Sequence, residues 1–183
     1  WMSTNRGLSA FDPATKVFSN YDVRDGLQSN EFNVGAYCKT KDGEMFFGGM
    51  NGFNGFYPHM VEKNSFVPPV VINDFQIFNK SVAPSRKGSP LKKSITETDH
   101  MTLSYKQNVC SYEFAALNYT RSEKNRYAYI MEGFDKEWNY IGTRRFATYT
   151  NLPPGEYVFK VIGSNNDGVW NKQGVSVRVA ITP

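Results

Sequence analysis

Three carboxylates, Glu132, Asp135 and Glu137, carry the most obvious chemistry in this chain, crowded into the run Glu132-Gly-Phe-Asp-Lys-Glu-Trp138. Two carboxylates flanking a scissile bond are the machinery of glycoside hydrolysis. The same residue types are also common where a strand ends in a turn, and turn and surface carboxylates are what we expect here. A His-assisted nucleophile needs an imidazole beside a serine or thiol, and neither His59 nor His100 sits near such a motif. Paired cysteines, His-x-x-x-His and Asp-rich calcium loops are missing from the sequence. The glycines from Gly48-Gly49 to Gly55 are followed by no Lys-Ser/Thr and open no helix, so they make no phosphate loop. The expectation is a chain that is not an enzyme, with no catalytic residue, no cofactor-binding residue and no metal ligand.

Recognition chemistry is better represented. Trp138, Tyr140, Tyr149 and Trp170 could build a flat platform for sugar rings, or the two tryptophans could pack in a core or seal its end. Arg144-Arg145 suits bidentate carboxylate recognition, or a cross-strand ion pair with Glu132 or Asp135. The ligand-binding candidates are therefore Trp138, Tyr140, Arg144 and Arg145. From Lys80 to Lys93 five basic residues (Lys80, Arg86, Lys87, Lys92, Lys93) mix with Pro, Ser and Gly. That reads as a solvated hairpin rather than an anion site, because no aromatic is interleaved with the charges.

The elements that must position these residues are strands. Tyr157, Phe159 and Val161 alternate with Val158 and Lys160, the period of a half-buried strand. Leu152-Pro153-Pro154-Gly155 precedes it as an obligatory turn. A tyrosine opening a strand just after such a turn matches the tyrosine corner of β-sandwiches, in which the phenol bonds back to the preceding connection. Further strands are expected from Val71 to Phe78, His100 to Tyr105, Val109 to Leu117 and Val175 to Ile181. In the third, Cys110, Tyr112, Phe114 and Ala116 share one face. Cys38 and Cys110 both lie in apolar alternating runs and read as two buried small hydrophobes rather than a disulfide. Asn79-Lys-Ser81 and Asn118-Tyr-Thr120 are glycosylation sequons by pattern. No segment keeps a helical period, so the chain is expected to be all-β.

Aromatics at 15 % and hydrophobic residues at 40 % are enough for a packed core and lean towards β structure. The net charge of +4 is divided unevenly. Residues 1–66 hold six Lys/Arg against seven Asp/Glu, and residues 67–183 hold fifteen against ten. That excess is scattered and forms no polybasic patch, so no nucleic acid partner is expected. Apolar runs fall short of the ~18 residues of a spanning helix. The chain opens on Trp1 in mid-pattern and reads as part of a longer polypeptide.

Residues 1–66 contain a repeat. Gly7, Phe11 and Pro13 recur as Gly52, Phe56 and Pro58, an offset of 45 residues. Such a period, with several short strands per unit, is the signature of propeller blades. Gly26-Leu27-Gln28-Ser29-Asn30, Asp42-Gly43, Phe47-Gly48-Gly49 and Gly52-Phe53 resemble the two-component regulator propeller repeat. The first copy keeps Trp1, Thr4, Gly7 and Leu8 of that pattern; the second departs from it with Phe46-Phe47 and Gly49. The resemblance implies that residues 1–66 are a partial blade and the last blade of a β-propeller. Blades cut from their ring leave edges and apolar faces uncovered, which are expected to pair with another chain or fold onto the following domain.

Val67-Pro68-Pro69-Val70 marks the boundary. Residues 67–183 resemble the three-Y domain of two-component regulators. The resemblance rests on Phe114-Ala-Ala-Leu117, Tyr119, Tyr127-x-Tyr129, Glu132-Gly-Phe-Asp135, Trp138, Arg145, Tyr149, Leu152-Pro-x-Gly155, Tyr157, Val161, Asn165 and Asp167-Gly168-x-Trp170. Its structural signature here is Tyr127, Tyr129, Trp138, Tyr149, Tyr157 and Trp170. The resemblance implies an immunoglobulin/fibronectin-III-like sandwich after propellers, in the periplasmic part of a hybrid two-component sensor anchored in the cytoplasmic membrane of a Gram-negative bacterium. It further implies a transmembrane helix directly after the final strand, a homodimer through the sandwich, and an oligosaccharide ligand bound mostly outside these residues. The competing expectation is a carbohydrate-binding or spacer module of a secreted polysaccharide-degrading enzyme.

Overall fold

A computed structural model describes all residues from Trp1 to Pro183. Its regular structure is β throughout, apart from isolated 3-10 turns, and it divides into two compact units at Lys63/Asn64.

The first unit holds two three-stranded antiparallel sheets. One is formed by β1 (Met2–Thr4), β2 (Gly7–Asp12) and β3 (Val17–Tyr21), the other by β4 (Phe32–Lys39), β5 (Met45–Gly49) and β6 (Gly52–Phe56). The Asp42-Gly43 turn falls between β4 and β5 as expected, closed by Gly43 N donating to Thr40 O at 3.1 Å. Gly7 and Gly52 open equivalent strands with φ of +107° and +119°, a region that L side chains avoid. At Gly7 a Cβ would also collide with the Tyr21 carbonyl. The sheets meet where Trp1 packs 4.6 Å from Phe56, which is itself stacked on Phe47 of the same sheet at 6.0 Å. Leu8 and Phe47 are buried. Cys38 is not the buried hydrophobe its alternation suggested. It lies exposed in β4, because alternation assigns a residue to a face without saying whether that face is covered.

The second unit is a β-sandwich of the immunoglobulin/fibronectin-III kind. One sheet runs β13-β10-β7-β8 and the other β12-β11-β14-β15-β9. The first uses β7 (Val70–Ile77), β8 (Lys80–Ser81), β10 (Val109–Ala116) and β13 (Phe146–Thr150). The second uses β9 (His100–Ser104), β11 (Tyr127–Glu132), β12 (Asn139–Gly142), β14 (Gly155–Ser164) and β15 (Trp170–Thr182). All pairings are antiparallel except β9 with β15, which is parallel. The last strand is longer than its apolar alternation, starting at Trp170 rather than Val175, because Trp170 and Asn171 pair with Ser164 and Gly163 beyond a bulge. Gly174 (φ +58°) sits at that bulge, where a Cβ would strike the Val161 carbonyl.

The Lys80–Lys93 segment departs from a simple hairpin. Two residues return along β7, and the loop beyond them buries Leu91 and Ile95 in the core. Its apolar residues therefore give this polar loop a structural role. The unit boundary also falls earlier than the proline pair, because residues from Asn64 onward are held by the sandwich.

The core is aromatic and spans both sheets. Tyr112 of β10 stacks on Phe159 of β14 at 4.0 Å and 14°, and Phe75 of β7 packs against Tyr112 at 5.1 Å. Phe114, Tyr129 and Tyr149 surround Phe159 at 6.1–6.3 Å. The Tyr112 hydroxyl is fully buried without a hydrogen-bond partner. These two stacked rings are expected to respond oppositely to truncation. Phe159→Ala should cost about 3–5 kcal/mol by leaving a cavity at the sheet interface. Tyr112→Phe should be neutral or gain about 1 kcal/mol by removing the orphaned hydroxyl. Urea denaturation of both variants checks the pair.

Candidate interaction site

The tyrosines of the signature are tied into the sandwich one by one. Tyr127 spans the two sheets: its ring lies 5.5 Å from Phe114, and its oxygen accepts a hydrogen bond from the Ala116 amide at 3.1 Å. Tyr157 donates to the Pro153 carbonyl at 3.0 Å, the expected tyrosine corner. Tyr149 is buried and donates to Asp135, which also accepts from the Met131 amide at 2.8 Å and from Asn139. Burial, reinforced by that bond, pushes the Tyr149 phenol well above its ordinary value. Tyr129 is partly buried, and burial raises its phenol too. Tyr149 is thus withdrawn from any sugar platform.

The carboxylates do not assemble into an acid/base pair. Asp135 is committed to the strand-end donors above, and exposed Glu132 pairs with Lys160 at 2.6 Å. Glu137 is exposed in the turn. The ion pair expected between Arg144-Arg145 and Glu132 or Asp135 is therefore not formed, since both acids already serve other partners. His59 and His100 are exposed and lie in different units.

Of the candidate ligand residues, Arg144 and Arg145 are brought together with useful neighbours. They line a groove of about 380 Å³ with Gln76, Ser111, Glu113 and Phe146 on the outer side of the four-stranded sheet. The Arg144 guanidinium sits 5.4 Å from the Phe146 ring centre. Ser111 and Thr148 share a hydroxyl hydrogen bond of 2.8 Å across β10 and β13. Trp138 and Trp170 are half-buried rather than in the core, and Tyr140 is 70 % exposed with its ring edge-on to Trp170 at 5.9 Å. This pairing caps the β12 edge and lies outside the arginine groove's lining. Of the four candidates, Arg144 and Arg145 line one groove, and Trp138 and Tyr140 lie outside its lining.

An asparagine network was not legible in the sequence. Asn118, Asn125 and Asn165 are buried together with Ser164. Asn165 donates to the carbonyls of Asn64 and Phe66 at 2.6 and 2.8 Å, and accepts from the Asp167 and Val169 amides at 2.9 Å each. Asn64 in turn donates to Asn118 and Asn166 through its side chain and to Asp167 through its backbone. The Asn118 sequon is consequently no acceptor for glycosylation, because its amide nitrogen is buried and bonded to Asn125. Asn165 and Asp167 stood in the family pattern, but their partners in the entering segment lie about 100 positions away.

The family model described as the Y_Y_Y domain matches residues 118–182. These residues supply β11 to β15 of the sandwich, and the preceding strands from β7 to β10 complete it. Over its full length the chain is 35 % identical to Histidine kinase P4 of Formosa agariphila. It is also similar to the solved extracellular domain of BT3049 from B. thetaiotaomicron, described as a hybrid two component system, with 29 % identity and a TM-score of 0.74 across 99 % of this chain. The extracellular domain of BT4673 from the same organism aligns with all of this chain at 27 % identity and a TM-score of 0.59. The chain spans 13 % of the kinase and 24 % of each extracellular domain. The likeness places residues 118–182 and those before them in the extracellular part of a sensor-type protein.

Two outcomes check this account of the Y_Y_Y domain. Asn165→Ala removes both donors to the linker carbonyls and should cost about 2–4 kcal/mol, with faster proteolysis around residues 62–68. Burial raises the Cys110 thiol from 9.0 to about 11. The unfolded chain therefore ionises first, so stability is retained below pH 9 and falls as pH climbs through about 11. Urea midpoints measured from pH 8 to 11 should decline, and more gently in Cys110→Ala.

Proposed function

We propose that these residues form a non-catalytic segment of the extracellular region of a two-component sensor, joining ligand-reading propellers to a membrane helix. The full-length similarity to the BT3049 extracellular domain is the observation that carries this reading. Residues 1–63 are taken as the end of a β-propeller, a reading supported by the two matching hairpins 45 residues apart. The sandwich is the coupling element: an oligosaccharide bound mostly by the propellers alters how two sandwich domains pair as a homodimer. The long β15, paired along most of its length with β14, passes that change to the helix and kinase beyond Pro183.

The rigidity of the sandwich supports this role. Its two sheets are bridged by stacked aromatics and tyrosine hydrogen bonds, so it transmits displacement as a body rather than absorbing it. The arginine groove and the Tyr140–Trp170 pair are exposed features suited to contacts with a second sandwich or a sugar.

The test uses the intact membrane-embedded protein with single cysteines introduced by Arg178→Cys and Thr182→Cys. A panel of defined oligosaccharides is screened for kinase autophosphorylation and inter-subunit crosslinking together. An activating sugar should change crosslink yield several-fold at one of these positions. Identical yields in active and inactive protein would refute coupling through β15.

A further inference from the structure

The outer face of the four-stranded sheet is polar, and only part of its hydrogen-bonding capacity is used. Cross-strand pairing sets Thr148, Ser111 and Gln76 in one row and Phe146, Glu113 and Asp74 in the next. The alternate residues of β10, Cys110, Tyr112 and Phe114, belong to the core, so these six face outward. Four of them satisfy one another locally. Ser111 and Thr148 share a hydroxyl hydrogen bond of 2.8 Å, and Asp74 accepts from Gln76 at 2.8 Å and from Ser81 at 2.7 Å.

Glu113 is different. It is half-buried and directly opposite Asp74, a pairing of like charges that destabilises the empty sheet. Its carboxylate has no hydrogen bond or ion pair. Arg144 and Arg145 line the same groove, yet neither pairs with Glu113 or with any other carboxylate. Arg144 instead lies against Phe146, whose ring is 52 % exposed. A guanidinium over a ring keeps its in-plane N–H donors for another partner. The backbone beneath is fixed, since the Arg145 carbonyl accepts from the Phe114 amide at 2.9 Å.

These neighbours place three demands on an occupant. Two guanidinium groups call for an anion, and their planar fork suits a carboxylate. Glu113 only accepts, so it repels a bare anion and needs hydroxyl donors near the ligand's charge. The Phe146 ring offers an apolar surface for C–H groups. An inorganic anion meets only the first demand, and a neutral sugar fails it. A volume of about 380 Å³ is within the size range of small-molecule sites.

We propose that the groove over β10 and β13 binds a hexuronate ring of an acidic saccharide. Arg144 and Arg145 hold the carboxylate, Glu113 accepts from ring hydroxyls, and Phe146 lies against the C–H face. The site deepens the sugar side of the sensor reading and does not require coupling through β15.

The experiment titrates the 183-residue chain calorimetrically with galacturonate and mannuronate trimers, their neutral galactose and mannose counterparts, and inorganic sulfate. At least one acidic trimer should bind saturably, and its neutral counterpart and sulfate about tenfold more weakly or worse. Arg144→Gln and Arg145→Gln should each weaken the acidic trimer by about tenfold. Glu113→Gln should narrow the preference for that trimer over sulfate, an effect that a purely structural role would not produce. Urea midpoints equal to wild type establish that the variants are folded. Failure of both acidic trimers to bind would overturn the proposal, as would equal affinity for neutral trimers or sulfate, or unchanged affinity in both arginine variants. Acidic trimer binding that leaves crosslinking at Arg178→Cys and Thr182→Cys unaltered would retain this site and remove the coupling mechanism. A sugar that alters crosslinking while the groove binds none would do the reverse.

Discussion

The stack of Tyr112 on Phe159 is the contact on which the sandwich depends. It is the closest ring pair between the two sheets, and Phe75, Phe114, Tyr129 and Tyr149 are arranged around its members. Large rings at the centre set the sheet spacing, and smaller residues fill what remains: Gly163 lies close against Val70, Ala116 and Tyr127. The buried Tyr112 hydroxyl is a local cost of placing an aromatic of that size there. The other buried tyrosines avoid this cost by reaching a backbone group or Asp135 at the edge of the core.

A second constraint acts at the end of the sandwich where the chain enters. Asn165 answers two carbonyls of the entering segment and two amides of its own turn, so one side chain satisfies four backbone groups. Asparagine suits this position because it carries donors and an acceptor on one short, uncharged group. An aspartate could not donate, and a burial as complete as that of Asn165 would penalise its charge. The entering segment is thereby part of the sandwich rather than a loose tether.

The surface carries less organisation than the core. Arg144, Arg145 and Phe146 form a polar groove on one sheet, while Tyr140 and Trp170 form an aromatic edge on the other. Neither resembles an acid/base centre, and the carboxylates that suggested one are engaged as turn acceptors or surface ion pairs.

Much of this was present in the sequence. Period-two alternation identified β7, β10 and β14, the proline turn before Tyr157 predicted its corner hydrogen bond, and the recurrence of Gly7 at Gly52 located two equivalent hairpins. These are local properties, dictated by backbone sterics and by the two-residue repeat of a strand. Only the tertiary structure decided which faces are covered and which distant groups meet. Cys38 and Cys110 lie in similar alternating runs, yet one is exposed and the other buried, because a sheet covers only one of their faces. Asn165 meets Asn64 across about 100 positions, and Trp170 extends a strand by pairing rather than by pattern. Alternation specifies a side of a strand; what lies against that side depends on the path of the whole chain.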